Sequence, residues 1–133
     1  MRKVLLSKEF EFDSAHHLDN YEGKCQFTHG HNWKFVVTIG GTINPTTGML
    51  IDFGTLKLFV NSLIVDKLDH KYLNHVLAIN PTAENLAVWI YDQVLEWLMQ
   101  TYPNDKIYLH SIKLWEKYPS ACVEYFGEGY DER

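Results

Sequence analysis

Cysteine is scarce in this chain: 133 residues hold two, Cys25 and Cys122, far apart in sequence. So few argue against a secreted fold built on disulfides, and a reducing cytoplasm is the expected compartment. Long apolar runs are missing as well. None approaches the ~20 residues that a membrane helix needs. The opening MRKVLLSKEFEF turns charged again at Lys8, which leaves its apolar stretch too short for a signal-peptide core. No block or stripe of lysine and arginine breaks the interspersed charges, which sum to −5. Nucleic acid and membrane are therefore not expected partners. Repeats, low-complexity tracts and linkers are also lacking, so one domain spanning 1–133 is expected, large enough to bury a core.

What is present is apolar and patterned, with 46% hydrophobic and 14% aromatic residues. Four segments alternate with a period of two, the pattern of half-buried strands. In the first, from Lys3 to His16, one face carries Phe10, Phe12, Ser14 and His16. In the second, His29, His31, Trp33, Phe35, Val37 and Ile39 share a face, after a polar loop from Asp19 to Thr28. Near the C-terminus, Tyr108, His110, Ile112, Leu114 and Glu116 alternate with Leu109 and Trp115, and ACVEYF follows as a hairpin partner. Two further segments have helical spacing. Leu56, Val60, Leu63 and Ile64 form one stripe that runs to about Leu68. Thr82 is placed to cap the second helix, with Glu84 in its first turn and Leu86, Trp89, Ile90, Val94, Trp97 and Leu98 as its stripe. The fold class expected is α+β, a four-stranded antiparallel sheet with two helices packed on one face.

The stretch CQFTHGH, Cys25 to His31, concentrates the chemistry. His29 and His31 stand one residue apart on a strand, so their side chains point the same way from Cα atoms roughly 6.5–7 Å apart. Two imidazoles so placed can converge on one zinc ion at a bond length of about 2.0–2.1 Å. Gly30 between them leaves the opposite face bare. His16, in phase at the end of the first strand, is the third candidate ligand, because hairpin pairing brings it opposite that pair. Three neutral nitrogens leave zinc an open position, the arrangement of a catalytic site. For Cys25 the spacing allows two readings: a fourth ligand in a closed structural site, or a free thiolate stabilised by the nearby cation. Asp69 and His70 form a second cluster, either as a carboxylate-oriented imidazole or as a histidine complementing a helix C-terminus.

FDSAHHL, CQFTHGHNW, GMLIDFGTLK, LDHKYLN, NPTAENLAVWI and LWEKY, in that order from Phe12 to about Tyr118, resemble the 6-pyruvoyl-tetrahydropterin synthase family. The spacing C-x3-H-G-H is most similar to the bacterial branch that makes 6-carboxytetrahydropterin for queuosine. The resemblance implies the tunnelling fold, whose subunits assemble into β-barrels as trimers or hexamers with active sites at subunit boundaries. It implies zinc on His16, His29 and His31, with Cys25 as the proton-abstracting thiolate and Asp69 with His70 as a second acid/base pair. Glu116 is implied to anchor the pterin ring. Thr82 stands where relatives have a pterin-contacting threonine, although helix capping equally accounts for it. The implied substrate is 7,8-dihydroneopterin triphosphate, and the products are 6-carboxytetrahydropterin, acetaldehyde and triphosphate. The alternatives are 6-pyruvoyl activity and a zinc- and pterin-binding module without catalysis. Lys24 is a candidate for the triphosphate, and Lys113 for a solvated face. His75 and His110 are read as structural, and Cys122 as core.

Overall fold

A computed structural model describes residues 1–103 and 106–129, and of Cys25 the backbone alone. The chain opens with a long antiparallel hairpin, β1 (Lys3–His16) paired along its whole length with β2 (His29–Thr42). Period-two alternation puts Phe10, Phe12 and His16 of β1 on the same buried face as Trp33, Phe35, Val37 and Ile39 of β2. Stacked rings knit this face together, Phe10 on Phe35 at 5.3 Å and Phe12 on Trp33 at 6.1 Å.

Helices cover that face. The first helical stretch runs from α1 (Phe53–Val60) through a wide π turn (Asn61–Val65) into α2 (Asp66–Leu68), and buries Leu56, Val60, Ile64 and Leu68. Asp52 starts it by accepting the Gly54 N–H at 2.6 Å. After β3 (Lys71–Tyr72) and a single turn, α3 (Leu73–Val76), comes α4 (Ala83–Thr101), packed on β4 (Ile107–Lys117) and β5 (Ala121–Tyr125). Its buried stripe is Leu86, Ala87, Ile90, Tyr91, Val94, Trp97 and Leu98. Trp89, expected in the stripe, is only partly buried, and Tyr91 takes the central place against the ring of Tyr125 at 4.9 Å. Each fully enclosed aliphatic side chain here contributes roughly 1.5–3 kcal/mol.

The sheet differs from the expected one in number and direction. It has five strands in the order β3-β1-β2-β4-β5, and is mixed, because β3 pairs parallel to β1 through Ser14 and Ala15. A two-residue strand has no periodicity to read, which is why four antiparallel strands were expected. A bulge between Thr38 and Ile39 also breaks the single face proposed for β4. Leu109, not His110, lies opposite Ile39, so Leu109 is buried while Tyr108 is exposed with its ring over Gly40. A second irregularity in β4, between Trp115 and Lys117, leaves Glu116 without a partner on β5. Cys122 faces Trp115 across the ladder on the open side and is exposed, not core. An outermost strand has solvent beside it, so an apolar composition did not guarantee burial.

Candidate metal centre and active site

The register of the first hairpin builds the site. His16 lies directly opposite His29, and Ser14 opposite His31, so three imidazoles meet at the helix-covered end of the ladder. Their rings pack edge to face, with centroids 4.5 to 5.1 Å apart. His16 is fully buried.

Two carbonyls decide the tautomers. His16 Nδ1–H donates to the Pro81 carbonyl at 2.7 Å, and His29 Nδ1–H donates to the Phe27 carbonyl at 2.8 Å. A carbonyl only accepts, so in the neutral rings both Nε2 atoms carry lone pairs. These two nitrogens face each other at 3.0 Å. Lone pairs so close repel unless a cation lies between them. His31 Nε2 is buried and has no hydrogen bond, with Glu116 Oε1 3.3 Å away. The three histidines and Glu116 thus offer ligand atoms all within 4.8 Å of one another. Burial, reinforced by the neighbouring His29, lowers the pKa of His16 against the opposing Pro81 contact. Burial likewise lowers that of His31, which Glu116 opposes. Neutral imidazoles around one point are what a metal requires, and nitrogen donors with a carboxylate suit zinc.

A second cluster sits at the outer edge of β1. Asp69 ends the first helical stretch, where the Ser14 hydroxyl donates to the Leu68 carbonyl beside it. Its Oδ1 accepts the Asp13 N–H at 2.9 Å, and its Oδ2 lies 3.0 Å from His70 Nδ1. His70 has φ of 57°, left-handed backbone that turns its ring towards the neighbouring carboxylate, and its own N–H donates to the Asp13 carbonyl at 2.6 Å. The Asp13 N–H, and secondarily His70, hold the Asp69 carboxyl below the usual carboxylate range. The Asp13 carboxylate joins this group and is itself held by Asn32 Nδ2 at 2.9 Å. A cleft of about 580 Å³ opens there, with Ala15 and Gly30 as its floor and Asp13, Asn32, His70 and Tyr72 around it. Nothing lies within 4 Å of where a Gly30 Cβ would stand, so this floor is open. Asp13, Ala15, Gly30 and Asn32 alternate with the metal candidates along the hairpin. The two clusters therefore occupy opposite faces of one ladder.

The family profile described as 6-pyruvoyl tetrahydropterin synthase matches residues 5–128. The chain belongs to that family. A 6-carboxy-5,6,7,8-tetrahydropterin synthase of Synechocystis sp. is 37% identical over 123 residues, which cover 89% of this chain and 90% of the relative. A 6-pyruvoyl tetrahydrobiopterin synthase of Dictyostelium discoideum is 33% identical, covering 96% and 98%. The solved 6-pyruvoyl tetrahydropterin synthase of Caenorhabditis elegans superposes with a TM-score of 0.81 at 27% identity, over 96% of this chain and 98% of that one.

The remaining candidates of this family member fall as follows. Thr82 caps α4 by accepting the Asn85 N–H at 3.1 Å. Cys25 lies in a 3-10 turn, Lys24–Gln26, and its side chain is outside the described residues. His110 Nδ1 lies 2.8 Å from Ser111 Oγ, and His75 packs on Tyr72 at 4.5 Å. Sequence reasoning missed a pair of asparagines. Asn74 Oδ1 accepts the His17 N–H at 2.9 Å, and Asn74 Nδ2 donates to the His17 carbonyl at 3.0 Å. Asn80 does the same to Asp19, at 2.9 and 3.1 Å. Each side chain thus imitates a strand neighbour for the segment that leaves His16. Asn80 also adjoins Pro81, whose carbonyl orients His16. The signal for them was present in the motifs L-N and N-P-T, but their partners are more than 50 residues away.

Proposed function

We propose that this chain is a zinc-dependent tetrahydropterin synthase that converts 7,8-dihydroneopterin triphosphate and water to 6-carboxytetrahydropterin, acetaldehyde and triphosphate, in a 7-deazapurine (queuosine) route. The observation that carries it is the facing pair of unprotonated Nε2 atoms, 3.0 Å apart, beside His31. His16, His29 and His31 hold the ion, which supplies Lewis acidity to the side-chain hydroxyls of the substrate. Cys25 removes a proton from carbon next to the ring, and His70, its Nδ1 side held by Asp69, gives a second proton-transfer group. Glu116 accepts two N–H bonds from the aminopyrimidinone edge, a charge-assisted contact that fixes the ring. Relatives named 6-carboxy-5,6,7,8-tetrahydropterin synthase support this choice of product.

The same reading includes a cytoplasmic homo-oligomer, trimer or hexamer, with sites at subunit boundaries. The Asp69–His70 pair lies across the ladder from the imidazoles, so in this reading it serves a neighbouring copy's metal. Among the described residues, the outer side of β1 from Lys3 to Phe12 and the outer side of β5 pair with no strand, which leaves two edges free to join copies.

Incubating the zinc-loaded protein with the triphosphate and identifying products by mass spectrometry tests the activity. Acetaldehyde is expected. A 6-pyruvoyl product without acetaldehyde assigns the other reaction of the family, and ligand binding without product assigns a non-catalytic module. Cys25→Ala is expected to keep zinc and fold while turnover falls at least about 100-fold. Loss of zinc from that variant makes the thiolate a ligand and defeats its role as base.

A further inference from the structure

Glu116 stands where two duties compete for it. It continues the inward phase of Ile112 and Leu114, and its half-buried carboxylate reaches the metal candidates. The contact with His31 does not behave as a hydrogen bond. Oε1 is 3.3 Å from a ring nitrogen that is buried and left without a hydrogen-bond partner. Two lone-pair donors at this separation are arranged as neighbours around a third body. On a tetrahedral zinc with bonds of about 2.0–2.1 Å, adjacent ligand atoms stand about 3.3–3.4 Å apart. The His31–Glu116 separation matches that edge.

We infer that Glu116 is an exchangeable fourth ligand, bound to the ion in the resting protein and surrendered to the aminopyrimidinone edge when a pterin binds. The inference rests on the metal reading above and adds a gate to it. With both oxygens turned to accept N–H bonds from the pterin edge, the carboxylate no longer presents one to the ion. Seating the ring therefore vacates the coordination position that the substrate's side-chain hydroxyls need. An ion without pterin keeps a closed donor set, which holds water and unrelated alcohols off it.

Cobalt(II) loaded into the metal-free protein gives a readout apart from turnover, because its visible spectrum reports the ligand set. Glu116→Gln, without pterin, is expected to bind cobalt at least about 10-fold more weakly than wild type and with an altered spectrum. Glu116→Asp, which keeps the charge but shortens the reach, is expected to fall between them and serves if the glutamine variant does not fold. Adding 6-methylpterin, which has no side-chain hydroxyl to offer, should shift the wild-type spectrum and leave that of Glu116→Gln unchanged. Wild-type cobalt affinity and an unchanged resting spectrum in both variants overturn the gate, while loss of cobalt from His29→Ala in the same series keeps the metal site standing. If His29→Ala binds cobalt as wild type does, the metal reading fails and the gate with it.

Discussion

The metal candidates project from two fully paired strands, with carbonyls fixing the tautomers of His16 and His29. Asp69 and His70 instead occupy an exposed turn, with the His70 side chain 80% accessible, held by one residue of left-handed backbone and the main chain of Asp13. The first cluster is rigid because strand register and burial over-determine it. The second depends on local contacts at an exposed edge. Ligands of an ion need fixed distances, whereas a proton carrier needs access to its substrate.

The largest effect that separates the two is on turnover. Asp69→Asn leaves the ring of His70 without its anionic partner, and the rate is expected to fall about 100- to 10,000-fold. Metal content and fold should not change, since the pair lies across the ladder from the imidazoles. Steady-state rates beside metal analysis check this. A parallel loss of zinc means that the two clusters are not independent.

A smaller effect is expected from the support of the first cluster. Asn80→Asp keeps an acceptor for the Asp19 N–H but replaces the donor to its carbonyl, loosening the segment that carries Pro81. Metal affinity should fall about 10-fold. Asn44 caps a turn at the opposite end of β2, accepting from Thr46 and Thr47. Asn44→Ala should cost a similar stability, about 1 kcal/mol, and leave metal affinity alone. Equal affinities in all three proteins show that the clamp is only structural.

These contrasts also follow what could be read in the amino-acid order. His16, His29 and His31 were legible because a period of two assigns faces, and a hairpin joins the faces of successive strands. The stripes of α1 and α4 were legible for the equivalent helical reason. The facing of Asp69 and His70 was not, since adjacent residues need a particular backbone turn to meet, and no periodicity encodes φ of 57° at a histidine. Glu116 was visible by alternation, but its approach to His31 depends on the β2–β4 register and an unpaired position in β4. Asn74, Asn80 and Asp13 act through paired contacts across long sequence separations, which pattern reading does not reach. Cys122 misled for a simpler reason, because composition alone cannot tell an outermost strand from a central one.

The exposed pair offers the last and smallest test. In the folded chain the Asp69 carboxyl is held below its ordinary value of 3.8 by the Asp13 N–H first and by His70 second. The unfolded chain therefore binds more protons between the two values, and stability rises with pH across that window. The contribution is fully present above about 3.9 and is lost as pH falls through the lowered folded value. Asp69→Asn removes this carboxyl, so its urea midpoint should decline less than that of wild type between pH 5 and pH 3. The difference should be slight, because solvent screens so accessible a group. Identical declines would mean that the Asp13 contact does not hold the Asp69 carboxylate in solution.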